Sequence, residues 1–381
     1  MDNSFPEIKT LFGFGCMRLP MIGSEVDIEQ FKDMVDYFID NGFNYFDTAH
    51  GYIDGKSEKA IKIAISDRYP REKFLLTNKL SDSYFHKEED IRPFFEKQLE
   101  ICGVDYFDFY LMHAQNARNF KQYKECRAYE TAFELKKEGK IKHVGLSFHD
   151  SADVLDDILN TFPDVEIVQI QLNYLDFEDP SVQSRKCLEV CRKHNKPVIV
   201  MEPVKGGNLV NLPDAAAKVF EETGSGLSNA SYAIRFAANP EGVRVVLSGM
   251  SDMAQMKDNV SYMKDFKPLT EEELGAIARV TAIYKGLDVI PCTACHYCVE
   301  QNHCPMNIMI PEMFSCYNRS KIFAFWNQKM YYENVLVKDE HSPASACVGC
   351  GGCEAVCPQH LEIRSLLKDV AEAFEYSVAF K

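Results

Sequence analysis

The sequence predicts an α/β protein: a closed (β/α)8 barrel of the TIM type, followed by a small, mainly helical domain. Three observations carry this prediction. Short apolar strands alternate with amphipathic helices in eight units between Leu11 and Lys264, the pattern of parallel strands covered by helices, and eight units in about 260 residues is the size of such a barrel. No G-x-G-x-x-G follows the first strand, where GFGCMR holds two glycines and an open doubly wound sheet would carry three. Beyond the barrel, two tight groups of cysteines mark a domain of a different kind.

The elements run in order. After the apolar opening LFGFGCMRL, the segment DIEQFKDMVDYFIDNG spaces Ile28, Phe31, Val35, Phe38 and Ile39 at helical intervals, and NYFDTAH follows as the second strand. Six further strands are expected at FLLTNKL, FDFYLMHA, HVGLSF, EIVQIQLNY, PVIVMEPV and RVVLSGM. Between them, EEDIRPFFEKQLEICG, ADVLDDILNTF, SVQSRKCLEVCRKHN and SNASYAIRFAANP read as helices. LTEEELGAIARVTAIYK leads out of the barrel, so the boundary falls near residue 286, with 1–286 as the barrel and 287–381 as the second domain. At 381 residues the chain exceeds one ordinary domain, in line with that division.

Charge narrows the partners. A net charge of -15 repels phosphate backbones and anionic headgroups, which argues against nucleic acid and membrane surfaces. The opening MDNSFPEIKT has no cationic segment followed by an apolar run, and no stretch of about eighteen apolar residues occurs. The expectation is a soluble, cytoplasmic protein.

Of fourteen cysteines, six (Cys16, Cys102, Cys126, Cys187, Cys191, Cys316) are scattered singly and read as small, mostly core residues. The other eight form two runs. Cys347, Cys350, Cys353 and Cys357 are spaced C-x2-C-x2-C-x3-C-P, and Cys292, Cys295, Cys298 and Cys304 follow the same pattern with a longer last gap. That is the spacing of four-iron cluster modules, whereas zinc ribbons take cysteines in pairs. The runs resemble those of two-cluster ferredoxins, in which the fourth cysteine of each run ligates the other cluster. The resemblance implies one [4Fe-4S] cluster on Cys292, Cys295, Cys298 and Cys357, and a second on Cys347, Cys350, Cys353 and Cys304. The stretch between the runs, IMIPEMFSCYNRSKIFAFWNQKMYYENVLVKDEHSPAS, is long and helical in pattern, and LEIRSLLKDVAEAF closes the chain as an amphipathic helix, so the domain resembles the helical ferredoxin type.

In a barrel, side chains at the C-terminal ends of the strands converge on one mouth. Asp47 and Tyr52 in FDTAHGY, Lys79 closing FLLTNKL and His113 in FDFYLMHA all fall at such ends. These four resemble the catalytic tetrad of the aldo-keto reductases. GFGCMRLP, TNK, YLMHA, GLS, QIQLNY and SGM...DNV are similar to further segments of that family, in the same order. The resemblance implies hydride transfer between a nicotinamide and a carbonyl or alcohol. Tyr52 would donate the proton, and since a phenol titrates near about 10 it needs the neighbouring Lys79 ammonium to favour its ionised form. Asp47 would hold Lys79 charged, and His113 would donate a hydrogen bond to the carbonyl oxygen.

The same resemblance places Ser147 and Gln169 on the nicotinamide carboxamide, Met201 at the stacking position and Asn259 on adenine. Positions that would grip a 2′-phosphate fall on Gly249, Met250 and Gln255, none of them cationic. An unpaired phosphate gains little there, so NADH is expected over NADPH, and a flavin at the same mouth is the alternative. Lys205, Arg244 and Lys257 are the nearest cations that would restore a phosphate grip.

A barrel fused to such a tail resembles the ferredoxin-tailed branch of the aldo-keto reductases. The leading expectation is an oxidoreductase acting on a small-molecule carbonyl or alcohol, coupled through the clusters to a redox partner protein. Two readings stay open beside it: an ordinary NAD(P)H-dependent carbonyl reductase whose clusters are structural or sense oxygen, and a non-catalytic electron-transfer protein.

Overall fold

Eight short β-branched and aromatic runs pair in parallel, each through the helix that follows it, and the last returns to the first. In this computed structural model, which describes residues 5–180, 182–287, 289–300, 302, 304–323, 328–337 and 341–376, the strands are β1 (Phe12–Gly15), β2 (Tyr45–Asp47), β3 (Leu75–Leu80), β4 (Phe107–Gln115), β5 (Ile141–Phe148), β6 (Ile167–Gln171), β7 (Val198–Met201) and β8 (Val243–Ser248). They form a closed barrel in the order β1-β8-β7-β6-β5-β4-β3-β2. Every barrel strand overlaps a segment the sequence assigned, with β4 running one residue past it, β5 starting two residues before it and β8 one residue before it, and closure seats Phe14 beside Ser248 and Gly15 beside Asp47.

Compactness divides the chain into two units, Met1–Val204 with Ala230–Glu271, and Lys205–Asn229 with Glu272–Lys381. The sequence boundary near residue 286 lies inside the second unit. In the first unit, helices Ile28–Asp40, Glu88–Cys102, Ala152–Thr161, Ser184–Lys193 and Asn229–Ala238 stand between strands and Met253–Met263 follows the last one, Asn229 alone counting with the second unit. The first is capped by Asp27, whose carboxylate accepts from Gln30 N at 3.1 Å. Helices Lys56–Ile61 and Ala128–Lys137 are additions to the sequence reading.

The barrel interior is filled by Tyr45, Leu75, Phe109, Leu111, Ile167, Ile199, Val245 and Leu247, with Ile8 beneath them. This is the layered filling that leaves a packed core rather than a pore. Two glycines make room for it. A Cβ on Gly13 would lie 2.8 Å from Leu247 Cδ2, and one on Gly145 would lie 2.6 Å from both Ile167 O and Leu111 Cδ2.

The second unit has its own core, in which Ile308, Met313, Phe314, Tyr332, Leu336, Ile363, Leu367, Val370 and Phe374 are buried together. Helices Ile310–Phe323 and Ile363–Ala371 and the helical turn Tyr332–Leu336 supply most of these side chains, as the helical pattern between and after the cysteine runs predicts. Residues 301, 303, 324–327 and 338–340 of that stretch lie outside the described residues. No helix among the described residues is long and apolar enough to cross a membrane.

The packing makes a prediction. Gly145→Ala should lower stability by about 1–3 kcal/mol, because its methyl meets a backbone carbonyl that cannot rotate away. A thermal melt indistinguishable from that of the parent would contradict the interior described here.

Candidate functional site

Three strand ends and one loop bring the four sequence-predicted polar residues together at the C-terminal mouth. Lys79 is 1% exposed and Asp47 3%. The Lys79 ammonium donates to Asp47 Oδ1 at 2.6 Å, to the Thr48 carbonyl at 2.8 Å and to Tyr52 Oη at 3.2 Å, which uses all three of its protons. Burial pushes Asp47 up and Lys79 down, each toward its neutral form, and their mutual attraction opposes both shifts. Asp47 Oδ2 also accepts from Gln169 Nε2 at 3.1 Å. Tyr52 is half-buried on the loop after β2, with its ring 6.1 Å from that of His113.

The backbone of Lys79 is gripped from outside the barrel. Asn78 Oδ1 accepts from Lys79 N at 2.8 Å and Gln98 Nε2 donates to Lys79 O at 3.1 Å. The buried Glu58 carboxylate accepts from both amides and pairs with His50 Nδ1 at 2.6 Å.

His113 is held neutral: burial, then the nearby Lys79 charge and His149, keep its pKa well below the ordinary value. Ser81 Oγ lies 2.5 Å from its Nδ1. With Ser81 donating, Nδ1 is the acceptor and the ring proton resides on Nε2, the tautomer able to donate to a carbonyl oxygen. Ser81 and Gln98 escaped the sequence reading; Ser81 stands one residue past β3, at a strand-end position, but its neutral hydroxyl does not mark it in the sequence. Directly after His113 the strand bulges, with Ala114 at φ 49° and a register shift between Met112 and Gln115. The bulge aims Ala114 N at Ser147 Oγ, 2.8 Å away.

The cofactor candidates are more dispersed. Ser147 and Met201 lie at the C-terminal ends of β5 and β7, and Gln169 at the middle of β6. Asn259 is buried, with its amide donating to Ser248 Oγ at 2.8 Å and accepting from Tyr262 Oη at 2.5 Å. Met250 is fully buried. Gln255 spends its side chain on the helix head, where Asp252 caps Met253–Met263 by accepting from Gln255 N at 2.8 Å. Of the three restoring cations, Lys257 is exposed on that helix. Arg244 is placed elsewhere: it stands at the start of β8 and donates to the carbonyls of Phe5 and Ile8, the opposite end of the strand from the mouth. Lys205 belongs to the second unit, buried 3.4 Å from Gln359 Oε1. A cation that the sequence reading passed over lies nearer, since a Cβ on Gly249 would touch the Arg18 side chain at 3.3 Å.

In the second unit the eight clustered cysteines stand around two cavities. Cys292, Cys295, Cys298 and Cys357 line one, while Cys304, Cys347, Cys350 and Cys353 line the other. Four thiols per cavity, drawn from both runs and backed by apolar walls, suit a four-iron cluster. Among the described residues no three His, Cys, Asp or Glu side chains close on one point as a single ion requires. All six scattered cysteines are buried.

Removing one partner of a buried ion pair strands the other. Asp47→Asn should therefore cost about 3–5 kcal/mol of unfolding free energy at pH 7. The deficit should shrink as pH rises toward about 10.4, the ordinary lysine value, where the unfolded chain also releases the proton. Denaturant titrations at the two pH values check this, and a cost under about 1 kcal/mol at pH 7 would contradict the pairing.

Comparison with known proteins fits this geometry. Residues 12–282 match the model of the aldo/keto reductase family, and residues 291–361 match that of the 4Fe-4S dicluster domain. Uncharacterized oxidoreductase YqkF of Bacillus subtilis (strain 168) is 26% identical over 307 residues, covering 72% of this chain and 94% of that protein. NADH-specific methylglyoxal reductase of Escherichia coli (strain K12) is 30% identical over 185 residues, 44% of this chain and 54% of that protein. In fold, the chain is similar to an aldo-keto reductase from Klebsiella pneumoniae solved in complex with NADPH, with a TM-score of 0.57 and 21% identity over 71% of this chain and 90% of that one. The protein belongs to the aldo/keto reductase family and is an oxidoreductase with a C-terminal 4Fe-4S dicluster domain.

Proposed function

We propose that the protein interconverts a small carbonyl compound and its alcohol at the barrel mouth, and that the tail exchanges electrons with this reaction and with a redox partner protein. One observation carries the catalytic half: the Lys79 ammonium bridges Asp47 and Tyr52 at the strand ends, with a neutral His113 beside them. When bound, a nicotinamide supplies the hydride and iron–sulfur clusters supply single electrons.

The residues divide the remaining work. His113 Nε2–H donates to the substrate oxygen and orients it. Tyr52 gives its proton to that oxygen as negative charge develops there, and Lys79 stabilises the phenolate left behind. Asp47 keeps Lys79 charged in a site that burial would otherwise neutralise. Ser147 and Gln169 would orient the carboxamide, with Met201 against the ring and Asn259 toward the adenine end. Cys292, Cys295, Cys298 and Cys357 would hold one cluster, and Cys304, Cys347, Cys350 and Cys353 the other. We assign the redox function to the chain beyond residue 286. Reduced thiols in ligand sets suit a cytoplasmic setting.

Tyr52→Phe should keep fold and nucleotide affinity while lowering carbonyl reduction by several orders of magnitude, since only the proton donor is lost. Steady-state rates on a panel of small aldehydes and ketones, beside nucleotide titration, check this. Undiminished turnover would mean that another acid serves.

We further propose NADH as the preferred nucleotide. Gly249, Met250 and Gln255 offer no cation, and the Asp252 carboxylate already occupies the head of the last barrel helix. The name of the E. coli relative, an NADH-specific enzyme, points the same way. NADPH should bind no more tightly than NADH in titrations at one ionic strength. A preference for NADPH of about tenfold or more, the scale of one charge-assisted contact, would overturn this and direct attention to Arg18 and Lys257. Binding of neither nucleotide would favour the flavin.

A further inference from the structure

A single buried carboxylate is tied to both sides of the contact between Lys79 and Tyr52. Glu58 is 0% exposed and stands on the short helix Lys56–Ile61, just past the loop that carries Tyr52. Its Oε1 accepts from Asn78 Nδ2 at 2.8 Å and from Gln98 Nε2 at 3.2 Å, the two side chains that hold the peptide groups of Lys79. Gln98 Nε2 also donates to Asn78 Oδ1 at 3.1 Å, and Tyr110 Oη donates to Gln98 Oε1 at 2.6 Å, so both amides are fixed in orientation. On the other side, Glu58 Oε2 lies 2.6 Å from Nδ1 of His50, two residues before Tyr52. With the carboxylate as acceptor, that nitrogen carries the proton.

The loop that Glu58 reaches through His50 is strained. Ile53, Asp54 and Gly55 follow Tyr52 with φ of 54°, 52° and 76°, and left-handed backbone is unfavourable for a β-branched residue such as Ile53. A conformation of this kind persists where its surroundings over-determine it. Ser57 N donates to the Tyr52 carbonyl at 3.3 Å, and Ser57 Oγ donates to the Cys16 carbonyl at 2.8 Å. The His50 ring meets those of Tyr84 and Phe94 edge-on, at centroid distances of 4.8 and 5.1 Å. Glu58 joins this loop to β3, the strand that carries Lys79.

The Lys79 ammonium is 3.2 Å from Tyr52 Oη, at the long end of a hydrogen bond. Its power to favour the phenolate falls with separation. Taking Tyr52 as the proton donor of the proposed function, we propose that Glu58 is a positioning residue that sets this separation, through Asn78 and Gln98 on the lysine side and through His50 on the tyrosine side. Lys79, its partner Asp47, and His113 across the mouth also titrate around Tyr52, and Glu58→Gln leaves all three in place.

The sign of the effect separates positioning from charge. Deleting a nearby carboxylate would by itself favour the phenolate and move the Tyr52 ionisation down, whereas loosening the contact with Lys79 moves it up. Phenolate absorbance of the full chain is titrated against pH, each form being compared with the same form carrying Tyr52→Phe. In Glu58→Gln the Tyr52 ionisation should rise by about one pH unit, a tenfold change in its equilibrium. In carbonyl reduction, kcat should fall about tenfold or more while KM for NADH stays within about twofold. Glu58→Asp keeps the carboxylate and should restore part of both. An ionisation that stays or moves down would overturn the proposal. If Glu58→Gln does not fold, His50→Ala tests the tyrosine side: it should raise the same ionisation, and the uncharged His50→Asn, which returns a donor near the Nδ1 position, should reverse the rise. An unmoved titration in His50→Ala would equally overturn the proposal. The titration needs no turnover, so an upward shift in a chain that reduces no carbonyl would support the positioning and overturn the functional reading alone.

Discussion

Burying an ammonium costs several kcal/mol unless partners replace water at every proton, and the Lys79 ammonium, with its side chain 1% exposed, sits inside the barrel. Its three acceptors are a carboxylate at the end of β2, a carbonyl one residue on and a phenol on the loop that follows. These groups meet only if β2 and β3 hold a register that places Asp47 opposite Thr77. The register in turn depends on a barrel that closes. Closure needs an interior filled by Tyr45, Leu75, Phe109, Leu111 and Ile167, and that filling needs glycine at 13 and 145. Core packing and site chemistry are therefore one constraint here.

The supports behind the site follow from the same demand. A charged side chain aimed at the mouth is only as precise as its backbone, and Asn78 and Gln98 fix both peptide groups of Lys79 from the helix side. Ser81 does the equivalent for His113 by holding its Nδ1. Neither arrangement contributes charge. Both determine where charge and protons are presented.

The second unit meets a different problem, since a small unit of short helices gains little from its own core. The cysteines lining each cavity come from both runs and bring residues near 292 beside residues near 357, so cluster binding there would act as folding energy. The inclusion of Lys205–Asn229 in this unit, with Gly206 pressed on Thr293, joins a segment from the middle of the chain to its end.

Much of this was legible in the linear sequence, for physical reasons. Strand and helix periods depend on nearest neighbours in the chain, so all eight barrel strands fall on the segments that the sequence marked, with ends that differ by one or two residues in β4, β5 and β8. Cysteine spacing is likewise local and marked the two runs, but the exchange of Cys304 and Cys357 between the two cavities follows only the resemblance to two-cluster ferredoxins. The tetrad was legible because parallel strands carry their C-terminal ends to one side. What depended on contacts between distant segments was not legible. The seam where β1 meets β8 sets Arg18 against Gly249, two residues 231 positions apart by their numbers. Arg244 turned out to serve the N-terminal chain, and Lys205 the second unit. A cation's sequence neighbours say that it is present; which anion or carbonyl it faces is decided by closure and packing, because electrostatic partnership depends on distance in space.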